Sequence, residues 1–547
     1  MTSDIQGALY LRADVKAEPL INAWYAWSFL VSPIGLALVT RNLHLRVLDS
    51  YLKSPKLHAQ AVRNQALKGG LFVDYDGDPE HMRAFVAHSR AALADLVTLA
   101  DDIVAFDTLL QAEASGDSLA AWYARLPESL RGRVELTYDI NQHPRLRFIE
   151  PLFYRSDAYK PQLQSIRLSV LDGDARPFVL SSPRLDEGNG VTLHGAFADA
   201  RWDALFAMRH TPVGLARFRE IVGWDDLSPA ARERISTFVT TAPPPRAEAA
   251  PLEAGDVELR YFGHATVLMR SNEVSVLTDP IVPYAVDGAE RYSFHDLPAH
   301  IDYVVLTHNH QDHVMFETLL QLRHRIGTIV VPRGAGGSLP DLSLKQTLEA
   351  IGFARVVELG ELDSLPLPGG RILGVPFLGE HGDLDIPTKL AFHVRLGRTT
   401  ALFAADSNNL DPVLYQRLAP LLGHTDHLFL GMECAGAPMS WVYGPLFAKA
   451  PERKHDQARR LNGSNAERAW DIVQTLRPGA VHIYAMGAEP WLAFISSIEY
   501  TDESEAIVES NALIARCREA DIPAQRLYGR HRIVERAARE TREAVAA

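Results

Sequence analysis

The alternation of apolar and polar positions divides the chain into two regions of different texture. In the first, up to about residue 240, an amphipathic helix is predicted to begin at residues 78–80. Its apolar face comprises Leu96, Leu99, Ile103, Phe106 and Leu110. Residues 134–139 and 146–149 alternate on either side of a turn and predict a β-hairpin, and residues 165–170 predict another strand. We expect a separate α+β domain over residues 1–241, with a structural, partner-binding or dimerising role.

A proline-rich stretch separates the two regions. Pro243, Pro244 and Pro245 are consecutive, and Pro251 follows shortly after them. Consecutive prolines exclude both a helix interior and a central strand, because they lack backbone donors. Residues 242–255 are therefore predicted to be an extended linker, and residues 256–547 to be a second domain.

Beyond the linker, short apolar runs bounded by turns follow one another closely. They cover residues 257–262, 265–269, 274–277, 304–306, 328–331, 355–359, 371–375, 390–394, 400–404, 427–430 and 481–484. Helical spacing appears between some of these runs, after His313 and over residues 466–475. Two sheets with helices on their outer faces would bury this many strands. The pattern predicts an αββα sandwich of the α/β class.

One loop of this second domain carries a dense group of polar residues. The apolar run 304–306 ends in His308, His310, Asp312 and His313, and helical spacing resumes at Met315. Side chains on a loop between a strand and a helix can converge on one point. Imidazole and carboxylate at this density are the ligands of a transition metal, so a metal site is predicted here.

A dinuclear site needs further ligands, and the ends of later strands offer candidates. Glu380 and His381 follow one strand, and the residues alone leave open which of the two binds metal. Asp406 closes another strand, His482 lies inside an apolar strand, and Glu433 is a weaker candidate.

Composition narrows the functional classes. The chain has 547 residues, of which 47% are apolar and 22% charged, as in ordinary globular proteins. Its net charge of −13 disfavours nucleic acid as the main partner. Cys434 and Cys517 are the only cysteines, which excludes a disulfide framework and a cysteine-rich metal site. No secretory signal pattern begins the chain, so a cytoplasmic enzyme is expected.

An uncharged, aromatic segment between Glu18 and Arg41 is nearly long enough to span a bilayer. Its hydrophobicity is lowered by Asn22, Ser28, Ser32, Pro33 and Gly35. A buried element or a subunit interface is favoured over a membrane span, and a homodimer through this domain is expected.

The spacing His308-x-His310-x-Asp312-His313, followed by a ligand near residue 380 and by Asp406, resembles that of the metallo-β-lactamase fold family. Residues 263–266 and Asp279-Pro280 are also typical of that family. Within it, the chain is most similar to the non-haem diiron β-hydroxylases typified by the chloramphenicol-pathway enzyme. In that branch a large N-terminal domain precedes the metal-binding domain, and Glu380 and Asp406 fall at the intervals of its ligands.

The resemblance implies two iron ions and names their ligands. One iron would be held by His308, His310 and Glu380, the other by Asp312, His313 and His482, with Asp406 bridging them. Glu380, Asp406 and Glu433 would serve the reaction, while His264 and His381 would orient ligands. The walls of the substrate pocket would include Trp441, Tyr443, Trp491 and Phe494.

The resemblance also implies a reaction. An amino acid held as an aminoacyl-phosphopantetheine thioester on a nonribosomal peptide synthetase carrier domain would be hydroxylated at its β-carbon. O₂ would be the co-substrate, and an electron-transfer partner would supply two electrons, because the chain has no evident flavin or nicotinamide motif. Two basic pairs, Arg453-Lys454 and Arg459-Arg460, are candidates for carrier docking.

Two alternatives remain. Zinc hydrolases of this fold place a histidine where Glu380 stands, so a dizinc hydrolase of an ester, thioester or phosphodiester would use His381 instead. Glu380 favours iron, because charged oxygen donors stabilise its higher oxidation states. A catalytically silent binding protein is the third class. The sequence does not identify the amino acid, the product stereochemistry, the carrier or the reductase.

Overall fold

The computed structural model describes residues 7–186, 188–244, 251–286 and 288–537. The middle of the predicted linker, residues 245–250, and the end of the predicted second domain, residues 538–547, lie outside the described residues. Residues 242–244 and 251–256, on either side of the linker's middle, form neither helix nor strand.

The N-terminal region is built from a four-stranded antiparallel sheet and surrounding helices. Its strands are β1 (Tyr10–Leu11), β2 (Val15–Ile21), β3 (Trp24–Tyr25), β4 (Val134–Tyr138), β5 (Pro144–Phe148), β6 (Gln164–Val170), β7 (Gly190–His194) and β8 (Val239–Thr240). Its helices are α1 (Ser28–Val31), α2 (Pro33–Val39), α3 (Leu45–Lys53), α4 (Pro55–Val62), α5 (Pro79–Ala92), α6 (Ala94–Glu113), α7 (Glu150–Tyr154), α8 (Arg201–Ala207), α9 (Leu215–Val222) and α10 (Pro229–Ser236). The sheet has the order β3-β2-β6-β7, and β4 pairs with β5 as the predicted hairpin.

The helix predicted from residue 78 is two helices. The Asp78 side chain accepts a hydrogen bond from the backbone N–H of Glu80 and caps α5, as its sequence position indicates. The helix α5 ends at Ala92, and α6 begins at Ala94 with all five predicted apolar residues buried. Apolar spacing continues across the break, because both helices face the same core, so spacing alone did not reveal it.

The uncharged segment is a buried element, as predicted. It forms β3, α1, α2 and a π-helical turn over Thr40–His44, and the ring of Trp24 stacks on that of His44 with centroids 3.7 Å apart. Within the described ranges, no helix combines the length and the apolar character that crossing a membrane requires.

The second domain contains two seven-stranded sheets. Its strands are β9 (Val257–Gly263), β10 (Thr266–Arg270), β11 (Ser275–Thr278), β12 (Ile301–Val305), β13 (Ile326–Pro332), β14 (Val356–Leu359), β15 (Ser364–Leu367), β16 (Gly370–Val375), β17 (Ala391–Leu396), β18 (Thr399–Phe403), β19 (His427–Gly431), β20 (Ala437–Pro438), β21 (Arg460–Leu461), β22 (Ala480–Tyr484), β23 (Ala524–Arg526) and β24 (His531–Glu535). Its helices are α11 (Phe316–Leu322), α12 (Leu344–Ala350), α13 (Val413–Leu422), α14 (Ser440–Tyr443), α15 (Arg453–Ala458), α16 (Ala466–Leu476), α17 (Ala493–Ser496) and α18 (Glu505–Glu519).

The two sheets form the predicted sandwich. One has the order β14-β13-β12-β11-β10-β9-β24 and the other β15-β16-β17-β18-β19-β22-β23. An apolar layer that includes Val267, Val305, Phe403 and Phe429 lies between them. The strands β12, β18 and β22 each belong to a parallel run, and the loops that follow their carboxyl ends meet at one edge of the sandwich.

The N-terminal domain packs directly behind the polar loop. Glu317, on α11, accepts hydrogen bonds from the Tyr25 hydroxyl at 2.7 Å and from the Arg176 guanidinium at 2.8 Å, and both donors belong to the N-terminal domain. The Tyr284 hydroxyl donates to the same carboxylate at 2.7 Å. One continuous apolar core joins the two domains around this ionic group, so the helix that follows the polar loop is held by both.

Candidate metal centre

Asp279 organises the polar loop after β12. Its Oδ1 accepts the backbone N–H of Thr307 at 2.7 Å, and its Oδ2 accepts the Thr307 hydroxyl at 2.6 Å. His313 donates from Nδ1 to the same Oδ2 at 2.9 Å. In the sequence, only the family resemblance pointed to Asp279. Its position directly after the apolar strand β11 is the further signal that could have identified it.

These hydrogen bonds fix which nitrogen of each imidazole is free. Because His313 donates from Nδ1, its Nε2 faces the Asp406 carboxylate, 2.9 Å away. The Thr307 hydroxyl gives its proton to Asp279, so it accepts one from His308 Nδ1 at 3.0 Å. In both histidines Nδ1 is thus held by Thr307 or Asp279, and Nε2 is the nitrogen directed at the interior of the loop.

His310 and Glu380 form the opposite side of the group. His310 Nδ1 lies 3.3 Å from Glu380 Oε1, and its Nε2 lies 2.8 Å from the Tyr443 hydroxyl. Glu380 follows β16 and has a φ of +66°. The ring of His381 lies beside that of His310, with centroids 4.7 Å apart, and its Nδ1 is 2.7 Å from the same Tyr443 hydroxyl.

The remaining acid of the loop, Asp312, faces His264. Asp312 Oδ2 lies 3.4 Å from His264 Nε2. The backbone N–H of Gly487 donates to His264 Nδ1 at 3.2 Å, so the proton of the neutral imidazole is on Nε2. His264 is thereby oriented as a donor toward Asp312.

Six of the seven predicted ligands come together. Three groups of side chains have donor atoms within 4.8 Å of one another: His264, Asp312 and His313; His308, His313 and Asp406; and His308, His310 and Glu380.

His482 is the exception, and its prediction as a ligand is corrected. It lies inside β22, opposite Phe429 of β19. Its Nε2 is 3.2 Å from His427 Nδ1, so it belongs to a separate histidine pair between strands. The other ligands follow the ends of their strands, whereas His482 precedes the end of its own strand.

Glu433 lies close to this group but outside it. Its carboxylate accepts the backbone N–H of Gly436 at 2.7 Å and the hydroxyl of Tyr500. Burial, opposed in part by these bonds, raises the pKa of Glu433. The negative charge of Asp406 also raises the pKa of Glu433, so the two carboxylates interact electrostatically.

The buried carboxylates of the group carry negative charge that bound cations would compensate. Burial and the charges of Asp406 and Asp312 raise the pKa of Glu380 well above its usual range. Burial alone would raise the pKa of Asp312, but His264 and the charge of His313 lower it well below its usual range. Burial also lowers the pKa of His308, which is therefore a neutral imidazole. Three carboxylates thus share a buried space in which repulsion disfavours their joint ionisation.

Several buried atoms at this group have no hydrogen-bond partner within the described part of the chain. They are His264 Nε2, His308 Nε2 and Asp406 Oδ1, together with His381 Nε2 beside the group. Buried polar atoms are nearly always bonded, so these atoms indicate a ligand that completes the group. Imidazoles, three carboxylates and unpartnered buried nitrogen and oxygen atoms fit a pair of metal ions.

Backbone strain is concentrated in the same place. Left-handed φ values occur at six non-glycine residues around the group: His264, Asp279, Glu380, Asp383, Ala405 and Ala485. Such conformations cost about 1–3 kcal/mol each and persist only where the surroundings impose them. Their clustering at the strand ends indicates a site that the fold holds in a fixed geometry.

A cavity of about 530 Å³ leads to the group. Its walls contain Asp312, Glu380 and Asp406 together with Glu433, and residues 67–70 of the N-terminal domain contribute to it. Of the aromatic residues predicted to line a pocket, Trp441 does so. Tyr443, Trp491 and Phe494 are instead buried in the core beside it, which corrects those three predictions.

Comparison with known proteins identifies the family. The model of the diiron non-heme beta-hydroxylase N-terminal domain matches residues 10–243, and that of the beta-lactamase superfamily domain matches residues 275–445. The 4-amino-L-phenylalanyl-[CmlP-peptidyl-carrier-protein] 3-hydroxylase of Streptomyces venezuelae is 37% identical over 527 residues, which cover 95% of this chain and 98% of that protein. The chain belongs to the diiron non-haem β-hydroxylase family.

Solved structures of this diiron β-hydroxylase family agree with the fold described above. The crystal structure of CmlA, a diiron β-hydroxylase from Streptomyces venezuelae, matches with a TM-score of 0.90 and 35% identity, covering 96% of this chain and 99% of that one. A variant of CmlA matches with a TM-score of 0.88 at the same identity and coverage. The predicted family, fold class and hydroxylase class are confirmed.

Proposed function

We propose that this protein hydroxylates the β-carbon of an amino acid held as a thioester on a nonribosomal peptide synthetase carrier domain. The reaction uses a pair of iron ions, O₂ and two electrons from an external donor. The observation that carries the proposal is the position of Glu380, whose carboxylate faces His310 at 3.3 Å while the adjacent His381 bonds to Tyr443. A cluster with three carboxylates suits iron in high oxidation states better than a nitrogen-rich zinc site.

The proposed ligands follow from the free donor atoms. His308, His310 and Glu380 would hold one iron, Asp312 and His313 the other, and Asp406 both. The shared role of Asp406 is supported by its Oδ2, which lies 2.9 Å from His313 Nε2 and 3.8 Å from His308 Nε2. The iron pair, when bound, supplies the activation of O₂ for insertion into a C–H bond.

Other residues of the site would orient these ligands. Asp279 holds a proton on His313 Nδ1, which keeps the opposite nitrogen available as a donor. His264 would direct the Asp312 carboxylate, because its Nε2 faces Asp312 Oδ2 at 3.4 Å. Glu433 would be a further participant, because its carboxylate, which accepts from Tyr500 and the Gly436 N–H, lines the same cavity.

The cavity supports a tethered substrate. It extends from the cluster past Trp441 to residues 67–70 and 495–498, and its wall is mostly apolar. Such a cavity suits an aminoacyl group, which would displace water from the cluster when it binds. Arg453 and Lys454 on α15 are exposed and would suit the acidic surface of a carrier domain. Arg459 and Arg460 donate to the carbonyls of Gly382 and Gly436 and are already engaged.

The experiment that tests the proposal measures metal content and product mass together. We expect about two irons per chain in protein expressed without added metal, with the absorption of a carboxylate-bridged ferric pair. Carrier domains loaded with candidate amino acids should then gain one oxygen atom when O₂ and a reductant are supplied. The relative from Streptomyces venezuelae is named for an aromatic substrate, a 4-amino-L-phenylalanyl group on a carrier protein. Aromatic amino acids are therefore the first to test.

The competing function is a dizinc hydrolase of the same fold. It predicts two zincs, a colourless protein that iron reconstitution does not change, and activity on esters, thioesters or phosphodiesters without a reductant. That result would refute the oxygenase. The cytoplasmic location, the homodimer and the electron-transfer partner remain predictions.

A further inference from the structure

Tyr443 connects two histidines behind the metal group. Its hydroxyl lies 2.8 Å from His310 Nε2 and 2.7 Å from His381 Nδ1. The side chain is buried at the end of α14, and its ring meets that of Phe29 from the N-terminal domain edge to face at 6.4 Å. A phenol placed between two imidazoles is a polar arrangement that packing alone does not require.

The direction of both hydrogen bonds follows from the ring nitrogen that faces the metal. His310 Nδ1 is the atom directed at Glu380, so metal binding there leaves the proton on Nε2. His310 Nε2–H then donates to the Tyr443 oxygen. The single proton of the hydroxyl is left for His381 Nδ1, which accepts it. Each of the three groups thus has one defined role.

The geometry points to Tyr443 and His381 as a positioning pair that fixes the protonation and ring orientation of His310 in the metal site. This inference rests on the proposed diiron function, which assigns His310 as a ligand. Partners of this kind typically change metal affinity or activity about 10–100-fold when removed. His381 belongs to none of the three clusters of candidate ligands, which agrees with a role one step behind the metal.

Three variants separate this role from simple packing. Tyr443→Phe removes the hydroxyl and both hydrogen bonds while keeping the ring. His381→Leu removes only the acceptor, and His381→Asn restores one, because the Asn amide oxygen occupies nearly the position of Nδ1. Tyr51→Phe is the matched control, since Tyr51 is also buried and donates to the Tyr75 carbonyl within the N-terminal domain.

The measurements are iron affinity by competition with a chelator and the optical spectrum of the iron-loaded full-length protein. For Tyr443→Phe we expect affinity to fall about 10–100-fold and the spectrum to shift. His381→Leu should show a smaller loss, and His381→Asn and Tyr51→Phe should resemble the wild type. Thermal melting of the metal-free variants identifies any that fail to fold. If His381→Asn recovers the iron affinity that His381→Leu loses, misfolding does not explain that loss.

Two results would overturn the inference. In the first, Tyr443→Phe keeps the wild-type affinity and spectrum. In the second, His381→Asn loses a metal outright while Tyr443→Phe does not, which would make His381 a ligand. Failure of the proposed function is distinguishable, because it appears in the wild type as two zincs that iron does not replace. The zinc affinity of the same variants then still tests the pair.

Discussion

Replacing Glu317 by glutamine should destabilise the protein and weaken its metal site. Glu317 and Arg176 are 2.8 Å apart, with side chains only 3% and 6% exposed, and Tyr25 and Tyr284 donate to the same carboxylate. The substitution leaves the Arg176 charge buried without its main partner. Breaking a buried pair in this way costs about 3–5 kcal/mol. Glu18, 3.8 Å from Arg176, retains part of the compensation, so we expect about 3 kcal/mol.

A double-mutant cycle in a denaturant titration measures this effect. Glu317→Gln, Arg176→Met and the double variant should give a coupling free energy of about 2 kcal/mol, because the double variant removes both buried charges. Glu80→Gln is the control, since the pair of Glu80 with Arg83 is 69% and 58% exposed and contributes little. If Glu317→Gln costs no more than Glu80→Gln, or if the two variants are additive, the ionic group does not join the domains energetically.

The same substitution should affect the metal site, because Glu317 is close in sequence to the metal-binding loop. Glu317 lies on α11, which begins directly after the polar loop and lies only a few residues beyond His313. Destabilising the contacts of this helix should let the loop move, so the iron content of Glu317→Gln should fall below that of the wild type. Protein that is destabilised but retains full iron would show that the loop is held without the N-terminal domain.

Three further predictions use other parts of the structure. In Gly431→Ala, the new Cβ would clash with the Ala405 carbonyl oxygen and lie 2.7 Å from Asp406 Oδ1, so the strand end that carries Asp406 should shift and iron should be lost. Gly214→Ala, where nothing lies within 4 Å of the new Cβ, should retain it. His482→Asn should keep its full iron content; loss of one iron would restore His482 as a ligand. Burial lowers the pKa of His44 to about 3. The unfolded chain therefore binds the extra proton first, and stability should fall as pH drops below 6.5, by up to about 2 kcal/mol near pH 5. His44→Phe, which keeps the ring stack, should melt with a weaker dependence on pH.

Much of the site was predictable because its ligands obey a local rule. Each follows an apolar strand, and the carboxyl ends of parallel strands meet at one edge. His308 after β12 and Asp406 after β18 are examples. His482 violates the rule, since it lies within β22, and it was chosen as a histidine inside an apolar strand of the domain that carries the metal site. The same rule would have excluded it.

The relation between the domains was not predictable from the sequence. Apolar spacing indicates which face of an element is buried, but not what covers it. The α6 face was correctly predicted, yet nothing in its spacing indicated a core that continues into the second domain. Likewise, Tyr443 was predicted as a pocket wall, because an aromatic residue near a metal site has the same sequence signature whether it faces the cavity or a ligand.

The three loop histidines differ in what holds the nitrogen that faces away from the metal. His308 donates to Thr307 and His313 to Asp279, and these partners follow the neighbouring strands β12 and β11 of one sheet. His310 instead contacts Tyr443, whose ring packs against the N-terminal domain. The sandwich can therefore orient two of the histidines by itself, whereas the third and the helix after the loop depend on the added domain. In this molecule the N-terminal domain is part of the support of the metal site as well as a wall of its cavity.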